Sequence, residues 1–201
     1  MNDFIVNKFS YVIGADQATQ NELISWITIS LQYINRFFEG DRSRIRGTKF
    51  GDCVSKVEFL VDSVIDSDDA SLFRGVRDES GRLQAGAIVS RQYGVIYPDI
   101  EQREYLSIDP FTTPPWNCLE GVAFPETIKG AATWLMADII IEVIDTNIEG
   151  VTKLLTIDRA RSFYESIGFQ SNPDFDREMI LTKEAAQLFV QNQLRIRGTA
   201  Q

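Results

Sequence analysis

A chain of 201 residues with 44% hydrophobic and 24% charged side chains has the composition of one globular domain, which excludes collagen, coiled coil and wholesale disorder. It contains no histidine, so Ser-His-Asp and Cys-His nucleophiles, His-bound zinc and imidazole acid–base chemistry are excluded, leaving carboxylates, Tyr, Lys, Ser, Cys and backbone groups. The net charge of −9, from 20 basic against 29 acidic residues, argues against nucleic acid as a partner, since duplex binding rests on neutralising phosphates, and suits a cationic amine.

In chain order, Phe4 to Ile13 is strand-like. Leu23, Ile27, Leu31, Ile34 and Phe38 then recur at helical steps, with Trp26 and Phe37 widening the stripe. Thr19 and Glu22 read as a capping box for this helix and Gly40 as its end. Arg42, Arg44, Arg46 and Lys49 fall in a loop, and Val54, Val57, Leu60, Val61 and Val64 predict a second helix from Cys53 to Ile65. Asp66-Ser67-Asp68-Asp69 lacks the glycine and distal glutamate of a calcium loop and reads as a solvated turn, with no metal site.

Strands are predicted at Leu72–Arg77 and Leu83–Arg91, joined as a hairpin by Asp78-Glu79-Ser80-Gly81. A third runs from Glu104 to Asp109, where Pro110 stops it because proline cannot donate to a ladder. A long apolar helix, buried on several sides, follows from about Gly130 to Ile144. Lys153–Ile157 is a strand, Asp158–Ile167 a helix ended by Gly168, Glu178–Thr182 the last strand and Ala185–Leu194 the last helix. The step from Glu104 to Ile157 by way of the long helix needs a crossover, hence a parallel strand pair in a mixed sheet with helices on both faces.

No apolar run reaches the ~18 residues that cross a bilayer, and Met1-Asn2-Asp3 lacks a basic, apolar leader, so a cytoplasmic protein with no membrane partner is expected. Cys53 and Cys118 are too few and too distant in sequence for a disulfide framework or a four-sulfur metal site, and reduced, partly buried thiols are expected.

Two segments carry chemistry. Thr127-Ile128-Lys129-Gly130-Ala131-Ala132-Thr133 opens the long helix, where first-turn amides attract anions and small side chains let phosphate oxygens approach. Close helix–sheet packing would favour the same small residues. Neither a Walker sequence nor G-x-G-x-x-G is present, which disfavours P-loop and Rossmann chemistry. The second segment is Ala160-Arg161-Ser162-Phe163-Tyr164-Glu165-Ser166-Ile167-Gly168-Phe169, in which Ala160, Phe163, Tyr164 and Ile167 share a helix face. By itself this is a packed helix with Tyr164 as a core aromatic.

This decapeptide resembles the A-x-x-F-Y-x-x-x-G-F signature of the GNAT superfamily of N-acyltransferases. In the same order, Glu104-Tyr105-Leu106-Ser107-Ile108-Asp109-Pro110 is similar to that family's fourth strand, and Gly130-Ala131-Ala132-Thr133-Trp134-Leu135-Met136 to its pyrophosphate loop and helix start. Lys153-Leu154-Leu155-Thr156-Ile157 stands where its fifth strand belongs. Three departures are Thr127 where the family has Gln or Arg, Ile157 where a polar residue is usual, and the 20 residues from Pro110 to Gly130.

The resemblance implies an α/β (α+β) fold, with a mixed, mostly antiparallel sheet and an N-terminal helical elaboration. It also implies one domain over residues 1–201: strand and helices in 1–70, an acyl-CoA-binding core in 72–183, and a helix and tail in 184–201. It implies acetyl-CoA as co-substrate and transfer of an acyl group to a small-molecule or peptidyl amine, with a homodimer as a possible state. The backbone of Leu106, Ser107 and Ile108 would pair with the pantetheine arm, an amide near Ile108 would polarise the thioester, and Lys129, Gly130, Ala131, Ala132 and Thr133 would hold the diphosphate. Tyr164 would protonate the departing thiolate. Glu104 or Asp109, with Glu101 and Glu120 as runners-up, would collect the amine proton. Trp116 and Asn117 would wall the acceptor pocket, unless Trp116 is merely tucked onto the core. The alternative is a non-catalytic acyl-CoA-binding or protein-interaction domain.

Overall fold

The structure is a computed structural model that describes residues 8–65, 69–97, 102–122, 124–145 and 151–198. The elements are β1 (Ser10–Ile13), α1 (Gln17–Phe38), α2 (Lys49–Ile65), β2 (Phe73–Arg77), β3 (Leu83–Val95), β4 (Gln102–Thr112), α3 (Ala131–Asp145), β5 (Thr152–Leu155), α4 (Asp158–Ile167), β6 (Gln170–Asn172), β7 (Phe175–Leu181) and α5 (Lys183–Gly198). Short 3₁₀ turns occupy Arg42–Ile45, Asp69–Leu72 and Pro115–Asn117. The seven strands lie in the order β1-β2-β3-β4-β5-β7-β6, with β4 and β5 parallel and the pairs β1–β2, β2–β3, β5–β7 and β6–β7 antiparallel. This is the mixed, mostly antiparallel α+β architecture expected. Two compact units divide the chain, one of the described residues within 7–88 and 110–135, the other of those within 89–109 and 136–201.

In the first unit the core gathers Leu23 and Trp26 of α1, Val57 and Leu60 of α2, and Phe73 and Leu83 of the β2–β3 hairpin, all without exposed surface. The expected capping box is corrected. Asp16 is the cap of α1, its Oδ1 accepting from the backbone N–H of Thr19 at 2.8 Å and from the Thr19 hydroxyl at 2.7 Å. These two bonds hold the Asp16 carboxyl below its ordinary pKa. Glu22 is thereby released for the hairpin, where it pairs with Arg77 and accepts the N–H of Leu83 at 2.8 Å. At the other end the backbone turns left-handed at Glu39 and Gly40, and the N–H of Gly40 closes on the carbonyl of Ile34.

Helix α2 starts at Lys49, before the predicted Cys53, because the Thr48 hydroxyl accepts the N–H of Gly51 at 3.0 Å and caps it there. The predicted hairpin forms around Asp78, whose carboxylate accepts from the amides of Ser80 and Arg82, the Ser80 hydroxyl and Gln84 Nε2. Burial pushes that carboxyl up, yet these bonds leave it below its ordinary value. Gly75 and Gly86 face each other across the hairpin, and a Cβ at either would come within 2.9 Å of the Phe73 ring. The paired glycines are the slot in which that ring is buried.

In the second unit β5 pairs in parallel with β4 through Leu106, Ser107 and Ile108, and antiparallel with β7. The crossover predicted from the long helix is present. Met136, Ile139 and Ile140 of α3 are fully buried, as an apolar helix covered on several sides requires. Strand β6, only three residues long, escaped the sequence reading. Strand β4 is also longer than predicted, running past Asp109 and through Pro110. The Leu106 N–H points to β5, bonding Val151 O at 3.0 Å, so by alternation residue 110 would too; the pairing ends at Ile108, and proline forfeits no ladder bond there. Of the predicted strand at 4–13, residues 4–7 lie outside the described residues, Lys8 and Phe9 are not strand and β1 begins at Ser10, while the turn read at 66–69 lies outside the described residues up to Asp68.

Replacing Gly86 with Ala drives a methyl group into a ring that cannot yield, and is expected to destabilise the protein by about 1–3 kcal/mol, read as a lower midpoint in urea unfolding.

Candidate active site

Helix α4 ends at Gly168, whose φ of 111° lets the N–H groups of Gly168 and Phe169 both return to the Tyr164 carbonyl, at 3.2 and 3.1 Å. A Cβ at Gly168 would meet the Ala185 side chain of α5 at 3.3 Å, so glycine serves both the turn and the helix contact. The turn sets Phe169 edge-on to Tyr164, ring centroids 5.7 Å apart, with Phe163 at 5.1 Å on the same phenol. Tyr164 is 3% exposed. Burial, and after it the negative charge of Asp109, raise its pKa well above the ordinary phenol value, so the hydroxyl stays protonated and acts as a donor.

Among the predicted carboxylates, Asp109 is therefore the one within electrostatic reach of Tyr164, and it is exposed. Glu104 is also exposed and lies 3.7 Å from Arg91. Glu120, in the first unit, is exposed, and Glu101 lies outside the described residues.

Leu106 and Ile108 are buried and Ser107 half-buried, all three in the ladder with β5. The expectation that this backbone is offered to a pantetheine arm is corrected: on the β5 side the Leu106 N–H is bonded to Val151 O, and the Ile108 N–H faces the same strand. The next backbone position on that side is Pro110, which has no N–H to polarise a carbonyl.

In the first unit, Gly130 precedes α3 with a φ of 95°, its carbonyl accepting the N–H of Trp134 at 2.9 Å. The amides of Ala131, Ala132 and Thr133 are thus first-turn groups without intrahelical acceptors. A Cβ at Gly130 would meet nothing within 4 Å, and Lys129 and Gly130 are exposed, so this helix tip has room for an anion. The residues fit the diphosphate of an acyl-CoA here, whereas the backbone of Leu106 to Ile108 does not fit its thioester arm in the expected way.

Trp116 is tucked onto the core: it is 7% exposed and packs edge-on against Trp26 at 6.3 Å. Asn117 is half-buried, and its carbonyl accepts from Lys49 Nζ at 3.3 Å. Buried atoms Trp26 Nε1, Trp116 Nε1 and Asn117 Oδ1 have no hydrogen-bond partner among the described residues. Sequence reasoning did not foresee that Cys53 and Cys118 come together here, both buried and both in contact with the Thr112–Thr113 segment. Nothing in their spacing signals it.

No family model matches the chain, and no curated protein does. Solved structures do. A tyrosine-to-phenylalanine mutant of KacT has a TM-score of 0.54 at 13% identity, covering 90% of this chain and 98% of that one. The AtaT toxin scores 0.50 at 10% identity over 67% of this chain, both as a tyrosine-to-phenylalanine mutant bound to the C-terminus of the antitoxin AtaR and acetyl-CoA (82% of that chain) and complexed with acetyl-methionyl-tRNAfMet (85%). A GCN5-related N-acetyltransferase from Kribbella flavida is 16% identical, with a TM-score of 0.42 over 83% of this chain and 34% of that one. The chain has the GNAT fold that it shares with KacT and AtaT, as its motifs implied.

The exclusion of nucleic acid is corrected by this comparison, because AtaT shares the fold and is complexed with a tRNA. Net charge sums the whole surface and does not describe one region of it. Here Arg42, Arg44, Arg46 and Lys49 concentrate positive charge around one 3₁₀ turn, with Arg42 paired to Glu58 at 2.8 Å and Arg44 to Glu39 at 3.1 Å. Among the described residues no helix is long and apolar enough to cross a membrane.

Because folding raises the Tyr164 pKa, the stability this phenol contributes is complete below its ordinary value of 10.0 and is lost as pH rises from there through the higher folded value. Tyr164→Phe is therefore expected to unfold less readily than the wild type as pH is raised past 10.0, measured by circular dichroism in an alkaline titration.

Proposed function

We propose that this chain is an N-acyltransferase that moves an acetyl or other short acyl group from acyl-CoA to a primary amine by direct attack. The observation that carries this reading is Tyr164, a buried, protonated phenol at the motif position of a GNAT-fold helix, in electrostatic contact with an exposed carboxylate on β4.

Each residue then has a physical task. The amides of Ala131 to Thr133, with the charge of Lys129, receive the diphosphate at the start of α3. Asp109 accepts the proton that the amine must lose, directly or through water, since an amine of pKa ~10 is mostly protonated at neutral pH. Tyr164 donates to the departing thiolate; sulfur of pKa ~8.5 is the weaker base, so the phenol acts first as a hydrogen-bond donor and yields its proton as charge gathers on sulfur. Burial disfavours a lasting phenolate, and the proton that Asp109 took from the amine is available to return Tyr164 to its neutral form.

A second reading, a domain that binds acyl-CoA without turning it over, is favoured by one observation: Leu106 to Ile108 are paired with β5, and Pro110 has no amide to supply. The test is acetyl-CoA thiol release in the presence of small amines, peptides and, because AtaT is complexed with an acetylated aminoacyl-tRNA, aminoacyl-tRNA. Release on one acceptor supports the transferase, binding without release supports the second reading, and failure to bind rejects both.

In the active protein Tyr164→Phe is expected to lower kcat by about 10²-fold or more while the Kd for CoA by calorimetry stays unchanged; unchanged turnover removes Tyr164 from the mechanism. Lys129→Ala is expected to raise that Kd by about 2–5-fold and to leave kcat unaltered at saturation.

A further inference from the structure

The two cysteines take no part in acyl transfer, yet the first unit brings them together from distant parts of the chain. Cys53 stands on α2, and Cys118 directly follows the 3₁₀ turn Pro115–Asn117. Their thiols lie close enough to shift each other's titration. Residues Thr112 and Thr113 hold them in place: the Cys53 thiol donates to Thr113 O at 3.4 Å, the Thr112 hydroxyl donates to Cys53 Sγ at 3.8 Å, and Thr113 Oγ1 lies 3.5 Å from Cys118 Sγ. Both thiols belong to the apolar core of the first unit, and each also contacts a polar group of the Thr112–Thr113 segment.

We propose that Cys53 and Cys118 are a peroxide-reactive thiol pair that closes reversibly to a disulfide. Cys118 is the attacking sulfur. The neighbouring Cys53 thiol holds the Cys118 thiol below the ordinary range against the opposing effect of burial, and the Thr113 hydroxyl, 3.5 Å from Cys118 Sγ, and the charges of Lys49 and Lys56 assist, whereas the Cys53 thiol is raised. The Cys118 thiolate attacks one oxygen of hydrogen peroxide, the O–O bond breaks, and the departing hydroxide takes a proton to leave as water. Cys118 is now a sulfenic acid. The Cys53 sulfur attacks it, the S–O bond breaks, and the hydroxide released takes the Cys53 proton as a second water. Two thiols are oxidised, one peroxide is reduced to two waters, and a thiol reductant reverses the bond.

Both cysteines are buried, at 3% and 6% exposure, which admits a compact peroxide and disfavours a bulky disulfide such as oxidised glutathione. The bond ties the segment bearing Trp116 and Asn117 to α2. The inference does not depend on the acyltransferase reading.

The test uses the full reduced chain, treated with hydrogen peroxide or with oxidised glutathione, then denatured, alkylated and mapped as unreduced peptides. The expected result with peroxide is one linked peptide pair containing Cys53 and Cys118, neither alkylated, with both alkylated again after dithiothreitol; glutathione disulfide gives little of it. Cys53→Ser is expected to leave Cys118 as a sulfenic acid trapped by dimedone, and Cys118→Ser to react at Cys53 at least about tenfold more slowly than the wild type does at Cys118. The proposal is overturned if both thiols stay alkylatable after peroxide that oxidises a free small thiol, or if Cys118 passes to sulfinic acid without a link. Should a serine variant fail to fold, the wild-type peptide map decides alone.

Discussion

The brief parallel pairing of β4 with β5 is the constraint on which the second unit depends. It joins Leu106, Ser107 and Ile108 to Thr152, Lys153 and Leu154 and stops there, and Pro110, the next position facing β5, carries no N–H that could extend it. Strand β5 is held on its other edge by β7, where Lys153 reaches Glu178 at 2.5 Å and lies 5.1 Å over the Tyr105 ring of β4. One lysine thus links three neighbouring strands. Asp109 immediately follows the pairing, and its charge reaches the Tyr164 phenol.

Glycines set the chemistry of two helix ends. At Gly168 a left-handed turn brings two amides back to the Tyr164 carbonyl and lays Phe169 against the phenol. At Gly130 the same kind of backbone precedes the first turn of α3, and a Cβ there would meet nothing within 4 Å. An L side chain at either position would oppose the conformation. Local backbone freedom therefore shapes the end of α4 that holds Tyr164 and the start of α3.

Polar groups in the first unit divide into those the fold satisfies and those it leaves over. Asp16, Asp78 and Glu22 are each bound by several donors, and together they fix α1 and the β2–β3 hairpin. Around the 3₁₀ turn at Pro115–Asn117, by contrast, indole and amide atoms are buried without partners among the described residues, beside a pair of thiols. Buried polar atoms are ordinarily paired, and this region departs from that norm, as does Gln84 Oε1 in the hairpin. Charge behaves likewise: the total of −9 coexists with the cationic turn at Arg42–Ile45, and the total does not predict the turn's partners.

Features with local causes were readable from the amino-acid order. The α1 stripe through Leu23, Trp26 and Ile34, the Asp78–Gly81 turn, the apolar α3 and the Gly168 stop each rest on periodicity or on one residue's backbone freedom. The signature around Tyr164 likewise led to the fold. What tertiary structure alone decided depends on partners far along the chain. Thr19 and Glu22 look like a cap until Arg77 and Leu83 are present to claim Glu22; Leu106 to Ile108 look available until β5 pairs with them; Trp116 looks like a pocket wall until Trp26 covers it. Cys53 and Cys118 meet only because α2 and the segment before α3 pack in one unit. Sequence spacing records forces that act within a few residues, whereas these contacts form only after folding has closed long loops, and their cost and reward are not written in any short segment.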